Sequence, residues 1–554
     1  MPHFRFDAAH IGFRSTAAIR YTKRRAVPSN MQRAGAATIA RMESRVCVIL
    51  GITGALAACS LAPPYRRPET AAAPAEYQES QGWKLATPSD TEARGPWWTI
   101  FQDTTLDALE SQVTDANQDL KAAYARLQGA RAQTRIARAG QLPSATADAS
   151  VNRTKASVNS PTYDSRDPAE YSDSIAGVTL SYEIDIFGRV RNTIAGARAT
   201  EQATAGDVAA LDLNLRADLA EDYFSLRGLD AQQELLDHTV ADYQRALGLT
   251  EALYRGGMAA NADVLQARAQ LESARSAAED SILRRAQFEH AIATLVGQQA
   301  SNFKLTPRPL PPTLAPPPID LGLPSQLLER RPDVAAAERR VAAANALIGV
   351  TRAAFFPVFS LAGAAGTESY SLANWMLAPS RYWSIGPQGV LTLFDGGLRR
   401  AQSASVVAAY DEQVAIYRAS VLTAFQEVED NLAALRQLER ENSSQSAAVA
   451  ATKGALDQAN HRYRSGLVTY LEVVSTENAA LAARITAINI DTRRLTASVL
   501  LIRALGGDWN RATASLSEMS NRRGQMQDDG ALSGQDSITA KQIAATDSRS
   551  SKDD

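Results

Sequence analysis

Leu327-Leu-Glu-Arg-Arg-Pro-Asp-Val-Ala-Ala-Ala-Glu-Arg-Arg-Val-Ala-Ala-Ala-Asn-Ala-Leu-Ile-Gly-Val-Thr-Arg-Ala-Ala-Phe-Phe-Pro357 is the stretch whose reading decides the fold. Its alanine-rich register predicts a helix over 327–354 that stops before Pro357, followed by a strand over 358–366. The stretch has a weaker copy earlier in the chain. Asn117-Gln-Asp119-Leu120 sits as Arg331-Pro-Asp333-Val334 does, Arg126 as Arg340, and Gln141-Leu-Pro143 as Phe355-Phe-Pro357, at one constant spacing. The chain therefore reads as one unit written twice.

Working outward, a proline-rich segment over 304–324 precedes the stretch, with Pro307, Pro309, Pro311, Pro312, Pro316, Pro317 and Pro318. Repeated proline holds the backbone extended and removes donors, so the segment is expected to be a linker rather than a PxxP recognition site. Downstream, a loop with Trp375 and Pro379 leads to a strand over 383–394. Asp395-Gly396-Gly397 then opens a long helix reaching Tyr463-Arg464. Its residues Val414, Tyr417, Val421, Phe425, Val428, Leu432 and Leu435 step by three or four, as helix-packing seams do. Ser465-Gly466 breaks it, and a last helix runs from Tyr470 to Leu505-Gly506.

The first unit has the same order. A helix is expected over 104–140, then a strand in which Ala145, Ala147, Ala149 and Val151 alternate with polar residues, then a loop over 159–168. The next strand places Val178, Leu180, Tyr182, Ile184 and Ile186 on one face and Thr179, Ser181, Glu183 and Asp185 on the other. A soluble sheet would alternate in the same way, so this pattern alone does not imply a membrane. Phe187-Gly188-Arg189 opens a helix to Tyr254-Arg255, roughly 100 Å long at 1.5 Å per residue, which needs partners along its length. Gly256-Gly257 breaks it, and a return helix over 261–297 completes a hairpin. Leu253-Tyr-Arg-Gly-Gly-Met258 matches Arg462-Tyr-Arg-Ser-Gly-Leu467, and Val296-Gly297 matches Leu505-Gly506. Two copies are too few for a solenoid, so approximate symmetry is expected.

The N-terminus carries its own signal. Arg45 precedes the apolar run of residues 46–58, which ends in small residues, as secretory signals do. Residues 1–41 are basic and acid-poor. We expect translation to begin at Met42 or Met31, with an organellar presequence as the rival. Residues 61–91 are rich in proline and alanine and read as an extended tether. Trp97 and Trp98 are expected to pack locally, and the polar stretch beyond Asn510 to be disordered. No apolar run is long enough for a transmembrane helix. Without the basic N-terminus the chain is acidic, which leaves no nucleic-acid footprint.

Enzyme chemistry is missing. The five histidines lack neighbours at ligand spacing, and His238, His290 and His461 are expected on exposed helix faces. There is no Walker loop, nucleophile elbow, dinucleotide fingerprint or HExxH. No cofactor and no metal are expected.

These features together resemble the outer membrane factor lipoproteins, the exit ducts of tripartite efflux systems. The resemblance covers residues 63–509. It rests on LLERRPDVAAAERRVAAANALIGVTRAAFFPVFSL, YEIDIFGRVRN, LTLFDGGLRRAQ and YRSGLVTYLEVV, and on Leu56-Ala-Ala-Cys59, which is similar to a lipobox. It implies a homotrimer, mainly α with a membrane β-barrel. Each protomer is a tandem β-β-α-α duplication, giving four strands to a common barrel and its helices to a periplasmic α-barrel. Residues 1–58 would then be extension and signal, 59–100 a lipidated tether, 101–303 and 325–510 the two repeats, 304–324 the linker and 511–554 the tail. Cys59 would carry the lipid, and Ser60 after it favours the outer membrane. Tyr463, Arg464 and Leu471 match positions that close the periplasmic tip. Arg255, Gly256, Gly257, Ser465 and Gly466 would meet a periplasmic adaptor, which couples to an RND-type pump or an ABC exporter of the inner membrane. Ser475 stands where many relatives have aspartate, with Glu472 and Glu477 nearby, which puts an acidic ring there in doubt. Type I protein secretion remains the alternative within this class, and a coiled-coil structural lipoprotein the alternative outside it.

Overall fold

The computed structural model describes residues 60–70, 77–78, 96–161, 163–164, 166, 168–311, 316–317, 319 and 331–507. The signal segment with Cys59, most of 71–95, the start of the quoted stretch at Leu327 and the tail beyond 507 lie outside the described residues.

Seven α-helices and four β-strands follow in chain order among the described residues. They are α1 (Thr104–Ala116), α2 (Gln118–Ala139), β1 (Ser144–Lys155), β2 (Glu170–Ile184), α3 (Arg189–Arg255), α4 (Asn261–Leu295), α5 (Pro332–Ala353), β3 (Val358–Ser369), β4 (Arg381–Val390), α6 (Leu398–Arg464) and α7 (Tyr470–Ala504). The duplication is visible in the lengths: α3 and α6 both have 67 residues, and α4 and α7 both have 35.

The expected helix over 104–140 is two helices. Asn117 takes an extended conformation between them, and its side-chain oxygen accepts from Leu120 N at 2.9 Å, capping α2. Arg331 is the N-cap of α5, with Pro332 at the first helical position. Thus the two residues matched in sequence are both caps. Each also reaches the end of its own repeat's last helix: Asn117 Nδ2 donates to the Leu295 carbonyl at 2.9 Å, and Arg331 Nη1 to the Ala504 carbonyl at 3.2 Å.

The turns repeat in the same way. At the end of α3, Gly257 N donates to Tyr254 O and Met258 N to Leu253 O. At the end of α6, Gly466 N donates to Tyr463 O and Leu467 N to Arg462 O, all at 2.9 Å. These are Schellman motifs, and both glycines have φ of 73°, which side chains with a Cβ disfavour.

The four strands form one antiparallel sheet in the order β1-β2-β3-β4, so β2–β3 pairing joins the two repeats. The register gathers the greasy residues on one face. Ala145 and Ala147 lie opposite Leu180 and Val178, these opposite Gly363 and Ala365, and these opposite Ile385 and Trp383. Val178, Leu180, Trp383 and Ile385 are exposed on that face. The opposite face carries Thr146, Asp148, Thr179, Ser181, Glu183, Ser360, Ser384 and Gln388. On this polar face the Tyr382 ring lies across the paired glycines Gly177 and Gly366, where a Cβ at Gly177 would come within 2.5 Å of its hydroxyl.

Several strand limits differ from expectation: β2 ends at Ile184 rather than 186, β3 runs on to Ser369 rather than 366, and β4 starts at Arg381 rather than 383. β2 begins at Glu170, because Ser174 and Ala176 occupy the apolar face without a strong apolar signal. β4 ends at Val390 rather than 394. β3 starts at Val358, after Pro357, and leaves no partner in this sheet for residues 391–394.

Two segments read as loose connections are docked. Residues 60–70 run extended along the second repeat: Asn345 Nδ2 donates to Pro63 O at 3.0 Å, Tyr65 to Glu338 Oε1 at 3.2 Å, Arg67 Nε to Tyr417 Oη at 2.8 Å and Arg418 Nε to Glu69 O at 3.0 Å. The first part of the proline-rich segment is pinned by buried Arg227 and Asp230. Arg227 donates to Thr306 O at 2.8 Å, Asp230 accepts from Arg308 N at 2.8 Å, and Arg285 donates to Leu305 O at 2.6 Å. Extended proline-containing backbone has free carbonyls, and guanidinium groups satisfy them.

One core packs Trp97, Trp98, Phe101, Leu106, Leu120, Tyr223 and Phe224, so the tryptophans do pack locally. A second core packs Val334, Val341, Tyr417, Val421, Val428 and Leu432, with Val414, Phe425 and Leu435 completing the predicted α6 seam. His238, His290 and His461 are exposed on helices, as expected.

Candidate functional site

The two hairpin turns and the seam between the hairpins near them form the candidate site. Arg255, Gly256 and Gly257 end α3, and Ser465 and Gly466 follow α6; all five are exposed. Met258 beside the first turn and Leu467 beside the second are also exposed, at 74% and 72%. Each turn therefore offers a small apolar knob on a rigid Schellman turn.

Above the turns, Tyr463 lies half-buried in the seam. Its ring packs against Tyr470 at 5.5 Å between centroids, within a cluster of Ala267, Ala459, Val473 and Leu247. It shares a side-chain hydrogen bond with Thr250 on the first hairpin. Burial, with the Asp263 charge adding, holds its hydroxyl above the ordinary tyrosine range. Asp263 itself caps the start of α4, accepting from Ala260 N at 3.3 Å. One tyrosine thus ties the second hairpin to both helices of the first.

Arg464 and Leu471 are placed differently. Arg464 is exposed and makes no ion pair among the described residues, while Arg462 pairs with Glu472 at 2.6 Å across the second turn. Leu471 is 56% exposed, and Ser475 lies exposed one turn further along the same face of α7. Thus Tyr463 and Tyr470 meet the first hairpin, whereas Leu471 and Ser475 face open space.

Three further residues belong to the seam. Glu477 accepts from Gln270 Nε2 at 2.9 Å, joining α7 to α4, and Tyr243 of α3 lies against the same amide. Burial pushes the Glu477 carboxyl up to about 7; the Gln270 hydrogen bond opposes this and Asp242 adds to it. Periodicity held a signal for this: Tyr470, Val473 and Glu477 recur on one face of α7, with a carboxylate where an apolar residue is expected. Thr250 and Gln270 carried no such signal.

No helix among the described residues is long and apolar enough to cross a membrane, and no group of His, Cys, Asp or Glu could hold a metal there. The one-sided sheet is the membrane candidate.

Comparison with known proteins agrees with this geometry. The family described as Outer membrane efflux protein matches residues 109–298 and 323–507. The chain is 33% identical over 457 residues to Outer membrane protein OprJ of Pseudomonas aeruginosa, covering 82% of this chain and 94% of that one. It is 31% identical over 471 residues to Cation efflux system protein CusC of Escherichia coli, covering 84% and 98%. The solved structure of the outer-membrane channel OprN superposes with a TM-score of 0.75 at 30% identity, over 81% of this chain and 99% of that one. With the family matching both repeats and the fold shared over 81% of the chain, the chain belongs to the outer membrane efflux protein family, whose members reside in the Gram-negative outer membrane.

Proposed function

We propose that three copies of this chain close into a passive exit duct that receives substrate from an inner-membrane pump through a periplasmic adaptor. The observation that carries this is the sheet, apolar on one face and polar on the other, with β1 and β4 left as open edges. Open edges are not tolerated in lipid, and four strands are too few to close alone. Closure by β1 of one copy against β4 of the next turns the apolar faces outward and the polar faces inward. The paired hairpins extend the same tube, with residues 101–303 and 325–510 as its two repeats.

In this reading the duct does no chemistry. The turns at Arg255, Gly256, Gly257, Ser465 and Gly466 meet the adaptor through their exposed knobs. Tyr463 holds the tip closed from the seam, Leu471 narrows the lumen, and Arg464, which makes no ion pair among the described residues, pairs with a neighbouring copy. Cys59 carries the lipid that anchors the docked strap of residues 60–70. Efflux is favoured over protein secretion by the similarity to outer membrane proteins of efflux pumps, and the pump is taken to be RND-type, with an ABC exporter as the alternative.

The test is direct. Outer-membrane fractions should yield a heat-modifiable trimer that conducts in planar bilayers, with an acylated N-terminal Cys59 by mass spectrometry. A monomeric, non-conducting protein would sink the duct reading.

A further inference from the structure

Glu477 faces away from Leu471 and Ser475. It lies two residues beyond Ser475 and six beyond Leu471, roughly 200° and 240° around an ideal helix. It is turned into the seam, where Gln270 Nε2 donates to it at 2.9 Å. Gln270 is 7% exposed, and its own Oε1 is buried without a donor. The Nε2 bond to Glu477 forms with the carboxyl in either protonation state, so it joins the hairpins while the proton decides the charge left in the seam. Among the described residues, the groups facing Glu477 offer it no cation of its own, since Arg245 is committed to Asp242. From α3 come Asp242, already paired with Arg245, and Tyr243; from α4 come Gln270 and, nearer the turn, Asp263. From α6 comes Tyr463, and α7 itself adds Tyr470. Glu477 makes no ion pair among the described residues.

We propose that Gln270 and Glu477 form a latch across the inter-hairpin seam, which positions the second hairpin in the closed state only while Glu477 holds its proton. The proposal rests on the reading of this tip as the gate. In the closed seam the Glu477 carboxyl is pushed from 4.5 up to about 7, and separation of the hairpins would return it toward its ordinary value. The closed state therefore binds the proton more tightly. It loses ground as pH rises from the ordinary carboxylate range to about 7, and the loss then levels off. An ionised Glu477 faces Asp242 in a partly dry seam, and the hairpins part.

The experiment uses the full-length protein in planar bilayers of phosphatidylethanolamine and phosphatidylglycerol, with conductance read from pH 5 to pH 8. The wild type should open on the order of tenfold more at pH 8 than at pH 5, after discounting for partial exposure of the carboxyl. E477Q should stay closed and flat with pH, since its amide never ionises. E477A should be open and flat. A wild-type pH profile in E477Q, or an E477A no leakier than the wild type at pH 5, would overturn the latch. Y463F separates the two readings. If Y463F opens the duct while E477Q still titrates, the latch alone fails. If neither Y463F nor E477A changes conductance, the gate at this tip fails with it.

Discussion

Gly228 in the middle of α3 is the position at which α3 and α7 approach without a side chain between them. A Cβ built there overlaps Thr492 Oγ1 and lies 3.1 Å from Thr492 Cγ2 and 3.2 Å from Thr492 Cβ. Rotating Thr492 removes the first overlap but not the crowding at Cβ, and it breaks the 2.9 Å bond from Oγ1 to the Ile488 carbonyl. Overpacking of this kind costs about 1–3 kcal/mol, whereas glycine to alanine inside a helix gains about 0.5–1 kcal/mol. G228A should therefore be destabilising by about 1–2 kcal/mol, the crowding outweighing the propensity. Gly248 on the same helix has nothing within 4 Å of such a Cβ, so G248A should stabilise by about 0.5–1 kcal/mol. The rescue is G228A combined with T492A, which removes the crowding methyl and hydroxyl and should show a coupling of about 1–2 kcal/mol. The assay is thermal unfolding of the detergent-solubilised protein for the four variants and the wild type. If G228A and G248A shift the midpoint in the same direction, or if T492A does not rescue G228A, the packing argument is refuted.

Three further outcomes are expected. R331A should cost about 2–3 kcal/mol in the same unfolding assay, because Arg331 is 8% exposed and bonds Asp333, Glu427 and the Ala504 carbonyl at once; R331K, lacking the fork, should recover little of it. E110Q should remove a pH slope: burial pushes Glu110 up to about 9 against Arg216 3.7 Å away, so the folded state weakens as pH rises from about 4.5 toward 9. Glu221 and Glu477 level off near 7, so the slope between pH 7 and 9 isolates Glu110, and its persistence in E110Q would refute the assignment. Y463F should raise closed-state conductance by roughly fivefold, the worth of about one hydrogen bond, lost here to Thr250.

Much of the candidate site was legible from local chemistry. The turns at Gly257 and Gly466 could be read because a helix end that needs positive φ selects glycine wherever it occurs. Tyr463 could be placed beside that turn by resemblance. Its contact with Thr250 could not, since nothing in a helical period reports which face of which neighbour lies opposite. Arg462 and Arg464 are equivalent by charge and proximity to the turn, and only the path of α7 brings Glu472 to Arg462.

Sequence by itself determined the duplicated order of elements, the matched hairpins and the alternating strands. Each depends on residues a few positions apart, where backbone geometry is nearly invariant. Tertiary structure alone decided that the repeats join through β2 and β3, that residues 60–70 and the start of the proline segment are docked, and that α1 and α2 are separate. It alone turned Glu477 into the seam and left Leu471 and Ser475 outside it. These outcomes depend on the rotational phase of helices some 100 Å long, which small periodic errors accumulate along and which only contact with a neighbour corrects.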